Sequence, residues 1–241
     1  MKPSVCFFTV CGGREDYDFL LGGIWHHAKM GTHLVLDTCL KPKSFRGLPS
    51  GVRWINEPIY GSGWKKFKLR TAVERAKMLA LESKANILVY LDSDEFFSLD
   101  SEEWLFPLAN DRAVEVKNVH WKTDFNPYEF GNSEWHLRVW PSKMDVQIAR
   151  NEAWLVHPRY NGNPEHHPVP VLPKGVYPIR AHGSFHHHLH YAIGSKTQET
   201  EVAEATIQGW PDHGKILTKV DWPGPLALWR DKNIAPSSYF L

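Results

Sequence analysis

The chain has 241 residues, enough for one α/β domain with a substantial core, and carries 28 basic against 27 acidic side chains, a formal net of +1. That balance gives no support to a general electrostatic nucleic-acid binder. Cys6, Cys11 and Cys39 have no zinc spacing, and their odd number argues against a disulfide framework, so a reducing, cytoplasmic setting is expected.

Val5 to Val10 is an apolar run of strand length, followed by a turn at Cys11-Gly12-Gly13-Arg14. It follows Met1 almost directly, without a separate signal peptide. No apolar stretch approaches the ~18 residues of a membrane span. Residues 16 to 30 place Phe19, Leu20, Ile24, Trp25 and Ala28 at helical spacing, with Gly31 as the stop. His33 to Leu36 predicts a second strand ending at Asp37, and Val52 to Ile55 a third. A long helix is predicted over Trp64 to Leu81, with Phe67, Val73, Ala76 and Leu79 inward and Lys65, Lys66, Arg70 and Glu74 outward. Ile87 to Leu91 is a continuous apolar run, the pattern of a central strand buried on both faces. This order implies a parallel sheet with right-handed crossovers.

After residue 100 the helical signal thins. Ala113 to His120, Trp135 to Trp140, Val146 to Ala149 and Val176 to Ile179 predict strands of a mixed or antiparallel half. Residues 158 to 175, rich in Pro, Asn and Gly, predict a loop. Thr197 to Gln208 predicts a late helix, and the tail from Trp210 has no clear period. There is no internal repeat and no composition break, so residues 1–241 are expected to form a single domain.

The run ending at Leu91 stops in three carboxylates, Asp92, Asp94 and Glu95. In an extended chain Asp92 and Asp94 point the same way, roughly 7 Å apart. Carboxylates so close repel unless a cation or a shared proton neutralises them. In open α/β sheets ligands bind beyond the carboxyl ends of the strands, so a divalent metal carrying a phosphorylated ligand is the natural occupant. The alternative is a helix start, capped by Asp92 or Ser93. Phe185 to Tyr191 carries His186, His187, His188 and His190; as a strand it would set His186, His188 and His190 on one face. Neutral imidazole suits Mn or Zn, and a solvated face or satisfied core histidines are the alternatives. The 11 Trp also offer surfaces for stacking on sugar rings, though most are expected in packing.

Leu91-Asp92-Ser93-Asp94-Glu95-Phe96 resembles the DxD motif of GT-A glycosyltransferases, especially the family 2-like enzymes whose motif reads hhhLDxDEF, and matches it throughout. The resemblance covers about residues 3 to 195. It implies an α/β GT-A fold with a mixed central sheet. A Rossmann-like nucleotide-binding half would span about residues 1–100, and an acceptor-binding half with the C-terminal tail about 101–241. It implies Mn2+ or Mg2+ as cofactor, with Asp94 on the metal that holds the donor diphosphate. Asp92 would reach the ribose or a metal-bound water, with Ser93 between them in the nucleotide site. Thr9 and Val10 sit where such enzymes cradle base and ribose. Asp37 corresponds to the acid that reads uracil or ribose, although the chain has Asp37-Thr38-Cys39-Leu40 where mainstream members carry DDxSxDxT. An Asx turn is the other reading of Asp37. Arg70 or Arg75 matches the basic helix residue that approaches the donor phosphates.

His190-Tyr191 followed by Ser195 resembles the relatives' late metal-site signature, making His190 the first choice for a third ligand and His188 the second. Trp135 to Pro141 resembles their xxRLFxx strand, which an acid follows about fourteen positions after the Arg. Glu152 stands fourteen beyond Arg138, with Asn151 in place of the usual His, so Glu152 is the candidate general base and Asp124 its alternative.

The resemblance thus implies an inverting, metal-dependent transfer of sugar from a nucleoside diphosphate donor, UDP being the expected carrier, to a hydroxyl of a glycan, glycolipid or other polymer. Modified nucleic acid is a conceivable acceptor that the charge balance does not favour. The rival readings are a nucleotidyltransferase, a metal hydrolase on the His/Asp set, and a non-catalytic sugar- or nucleotide-binding module. A nucleotidyltransferase would offer a Gly-rich phosphate loop, of which Cys11-Gly12-Gly13-Arg14 is a thin version.

Overall fold

Val5–Cys11 forms β1, Tyr17–His27 α1, Gly31–Asp37 β2 and Val52–Asn56 β3. Trp64–Ser83 forms α2, Ile87–Leu91 β4 and Glu95–Phe97 β5. Ser101–Trp104 is a short helix α3, followed by a 3-10 turn at Phe106–Ala109. Then come β6 (Val114–Trp121), β7 (Pro127–Glu129), β8 (Trp135–Pro141), β9 (Gln147–Arg150), β10 (Pro168–Val171), β11 (Ile179–His188) and β12 (Lys215–Ile216). These assignments come from a computed structural model that describes residues 4–12, 17–40, 45, 47–59, 64–97, 101–121, 127–129, 135–150, 168–188 and 215–216.

Among the described residues one mixed sheet runs β12-β7-β6-β8-β4-β1-β2-β3, with β11 beside both β6 and β5. The four N-terminal strands β3, β2, β1 and β4 are parallel, and β8 turns antiparallel against β4. The α/β arrangement with a mixed central sheet is therefore present. Period-2 alternation sorts β1 onto two cores. Cys6 and Phe8 pack with Tyr90, Trp140 and the α2 residues Val73, Ala76 and Leu79. Val5 and Phe7 pack on the opposite face with Val89, Phe97 and Phe106. Arg70 and Glu74 lie outward on α2 as its period predicts, and the side chains of Lys65, Lys66 and Phe67 lie outside the described set. α2 ends with Lys84 in the left-handed region (φ 58°) and Ala85 N–H donating to Ala80 O at 2.7 Å, the six-to-one bond of a Schellman close.

Three expectations change. The strand expected at Val176 to Ile179 is irregular over 176–178 and begins only at Ile179, the first residue of β11. Residues 168–171, placed within a loop by composition, pair as β10 with β9, because prolines are tolerated on the edge strand of a two-stranded ribbon. The chain after Leu91 neither stays extended nor starts a helix. It turns at Ser93-Asp94, with Glu95 N–H donating to Asp92 O at 3.2 Å, and re-enters the sheet as β5. Asp at the first position favours such a turn, and Glu95-Phe96-Phe97 is buried, which suits a strand better than an exposed helix turn. The predicted helix over 197–208 lies outside the described residues.

Gly31 opens β2 where it passes Val5, and a Cβ there would lie 2.2 Å from the Val5 carbonyl oxygen. Gly31→Ala should therefore destabilise the sheet by roughly 1–3 kcal/mol. Gly23 is buried in α1, yet a Cβ there would meet nothing within 4 Å. Gly23→Ala should stabilise by ~1 kcal/mol through helix propensity. Urea titrations of the two variants should move in opposite directions.

Candidate functional site

Sheet register builds the site. Thr9 pairs with Leu91 and Cys11 with Asp37, so the carboxylate turn and Asp37 emerge at neighbouring levels on the carboxyl edge of the parallel strands. That edge is where open α/β sheets bind ligands. A small cleft lies there between α1 and the turn, bordered by Thr9, Gly23, His27, His33, Asp92, Ser93 and Glu95.

Asp92 is held from two sides. The Tyr90 hydroxyl donates to its Oδ1 at 2.5 Å, and Arg138 Nη2 donates to its Oδ2 at 3.1 Å. The same Nη2 reaches Glu95 Oε1 at 2.6 Å, while Glu95 Oε2 accepts the Asp92 backbone N–H at 2.9 Å. Tyr90 is the penultimate residue of β4, and its hydroxyl reaches Asp92 where the chain leaves the strand. Arg138 arrives through a bulge. Val139 pairs with Val114 and Leu137 with Glu115, leaving Arg138 as the extra residue of β8. Its guanidinium lies 4.6 Å from the Tyr90 ring centre. The cation that a carboxylate pair demands is thus partly supplied by the protein itself.

The electrostatics follow from that burial. The side chains of Arg138 and Glu95 are 7% and 1% exposed, while Asp92 keeps 47% of its surface. The Asp92 carboxyl is pushed above the usual range, first by its partial withdrawal from water and then by the Glu95 charge; Arg138 opposes this. Burial works against the Arg138 charge, but Glu95 and Asp92 outweigh it and hold the guanidinium protonated. Burial, and next the Asp92 charge, push the Tyr90 phenol well up, so it stays a donor.

The other predicted residues divide. Thr9 borders the cleft, and its hydroxyl lies 3.1 Å from His33 Nε2. Val10 points to the opposite face and packs on the core under α2. Asp37 Oδ1 accepts the Cys39 N–H at 3.0 Å, the Asx geometry, and its Oδ2 accepts the Trp54 indole N–H at 3.3 Å. Arg70 pairs with Glu74 along the exposed face of α2 at 3.2 Å. Arg75 pairs with Glu57 at 3.2 Å, and the Glu57 N–H bonds the Asp37 carbonyl at 2.8 Å, which tethers Arg75 to the carboxyl edge. Ser93 and Asp94 form the turn itself, half-buried. The backbone of His188 pairs with Glu95 and that of His186 with Phe97, so the histidine strand runs beside the carboxylate turn. His190, Glu152 and Asp124 lie outside the described residues.

Sequence reasoning missed Tyr90, the bridging role of Arg138, and the buried His26, His27 and His33. The signals were present: a Tyr two residues before the first Asp, and one Arg within an otherwise apolar strand. Among the described residues no three His, Cys, Asp or Glu side chains converge on a ready-made metal centre, and no helix is long and apolar enough to cross a membrane.

No family model matches the chain, and no curated protein matches it. Among solved structures the fold is similar to the crystal structure of S. aureus TarS 1–349, with a TM-score of 0.36 and 9% identity over 58% of this chain. The chain spans about half of that solved chain, 47% of its length.

Proposed function

We propose that this chain is a metal-dependent glycosyltransferase of the GT-A kind. It transfers sugar with inversion from a nucleoside diphosphate, UDP being the expected one, to a hydroxyl of a glycan, glycolipid or other polymer. One observation carries the reading: the Asp92-Ser93-Asp94-Glu95 turn sits on the carboxyl edge of β4, level with the ends of β1 and β2.

The side chains present fit a hard divalent cation. Mg2+ and Mn2+ take carboxylate oxygens and complete their shells with substrate phosphates and water, so a site with one or two protein carboxylates suffices. Following the DxD resemblance, we assign Asp94 as the direct ligand and Asp92, held by Tyr90 and Arg138, to the ribose or a metal-bound water. We assign His190 as third ligand with His188 behind it, and the backbone pairing of His188 with Glu95 supports bringing that strand to the turn. When bound, the metal would supply charge stabilisation for the departing diphosphate. Thr9 and Asp37 are buried and already bonded, to His33 and to Cys39 and Trp54, so they would shape the floor of the nucleoside site rather than read the base, while Arg75 would approach the phosphates. Glu152, or Asp124 in its place, would take the acceptor proton, a role worth typically 10² to 10⁴-fold in rate.

Calorimetry with UDP, GDP and dTDP tests this directly. UDP binding should require Mn2+, and Asp94→Ala should weaken it by at least about tenfold, ~1.4 kcal/mol, with an unchanged circular dichroism spectrum. Equal UDP affinity in Mn2+ and in EDTA would sink the proposal. Slow Mn2+-dependent hydrolysis of UDP-sugars should then separate a transferase from a binding module.

A further inference from the structure

Two consecutive histidines at the end of α1 grip a single residue of β5. His26 Nε2 lies 2.6 Å from the Phe97 carbonyl oxygen, and the Phe97 N–H lies 3.1 Å from His27 Nε2. The partners dictate the tautomers. His26 must carry its proton on Nε2 to donate to a carbonyl, and His27 must leave Nε2 bare to accept from an amide. The pair thus does for one edge of β5 what β11 does for the other.

The rings have no room to turn away. His27 stacks on Phe7 with centroids 4.7 Å apart, meets His26 edge-on at 5.1 Å and leans on His33 at 5.7 Å. All three imidazoles are at most 2% exposed. What a leucine in place of His26 or His27 cannot do is meet the backbone of Phe97, whose carbonyl faces His26 Nε2 and whose N–H faces His27 Nε2.

β5 also carries Glu95, two residues earlier, whose carboxylate binds both Arg138 and the Asp92 N–H. We infer that His26 and His27 are positioning residues that fix Phe97, and through it Glu95, so that the carboxylate turn keeps its shape. The inference concerns the turn itself and holds whatever ligand the turn takes.

Hydrogen exchange on the full chain tests it residue by residue. His27→Leu should speed exchange of the Phe97 amide by about ten- to a hundredfold, the effect of leaving one buried N–H without its acceptor. The Asp92 amide, bonded to Glu95, should loosen with it, while β1 and β4 amides keep their wild-type rates. His27→Gln sets Oε1 at the depth of Nε2 and should return both amides to within about threefold of wild type. If the leucine variant does not fold, His27→Asn, whose amide stops one bond short, gives the same comparison. Equal acceleration across β1, β4 and the turn, an unmoved Asp92 amide, or no rescue by Gln would each overturn the inference.

Discussion

Acidification from pH 7 to 4.5 is expected to strip most of the stability from this protein, and the buried imidazoles of His26, His27 and His33 are the cause. Burial pulls His26 down to about 4 and His33 to about 3. It also pulls His27 well below its ordinary range, helped by the two neighbouring histidines. In the unfolded chain each takes a proton near 6.5. The folded state refuses it, so the unfolded state binds more protons and stability falls as pH drops through that value. By pH 4.5 His26 and His33 each contribute roughly 2–3 kcal/mol of loss, at 1.36 kcal/mol per pH unit, and His27 adds to it in the same direction. Three together rival the 5–15 kcal/mol that typically holds a domain. Asp92 acts with the opposite sign, because a carboxyl raised in the folded state gains protons on folding, but it is one group against three. Urea midpoints followed by circular dichroism at pH 7.5, 6, 5 and 4.5 should fall steadily. In His27→Gln, where one refusing group is gone, the slope should be shallower. A flat midpoint between pH 7 and 5 would show that these rings titrate normally.

Those histidines were invisible to sequence reasoning for a physical reason. His26 and His27 close a helix as a polar pair normally would, and only the approach of β5, seventy residues later, makes them interior. The parallel half was legible because its signals are local. Five consecutive apolar residues ending in Asp92 specify a central strand, and β4 is buried throughout. The period of α2 likewise placed Val73, Ala76 and Leu79 inward. Long-range pairing was not legible. Nothing in Phe96-Phe97 announces an antiparallel partner about ninety residues on, and Pro168-Val169-Pro170-Val171 has the composition of a loop. The carboxylates were readable as a site, but not their internal counter-ion. The bulge that turns Arg138 toward Tyr90 is a property of the β6–β8 register, which no single segment encodes.

Arg138→Met should be the most damaging single substitution in the described core, for a reason separate from ligand binding. Arg138 is 7% exposed and bonds two acids through one nitrogen, and Glu95 beside it is 1% exposed. Methionine fills the volume of the stem but leaves the Glu95 carboxyl buried with the Arg138 guanidinium gone. Breaking a buried pair from one side typically costs 3–5 kcal/mol, more than the ~1 kcal/mol of most substitutions. Removing both charges is a different matter, because a buried pair replaced by uncharged groups of similar volume is often neutral. The double variant Arg138→Met with Glu95→Gln should therefore recover most of the loss, since the glutamine amide oxygen still accepts the Asp92 N–H. Urea unfolding of the two single variants and the double gives the coupling energy, expected to be at least about 2 kcal/mol for groups in one hydrogen-bond network. Additive losses would mean that Arg138 and Glu95 act independently. In that case the guanidinium answers chiefly to Asp92, its charge serves the open side of the turn rather than the core, and Asp92→Asn should abolish the effect instead.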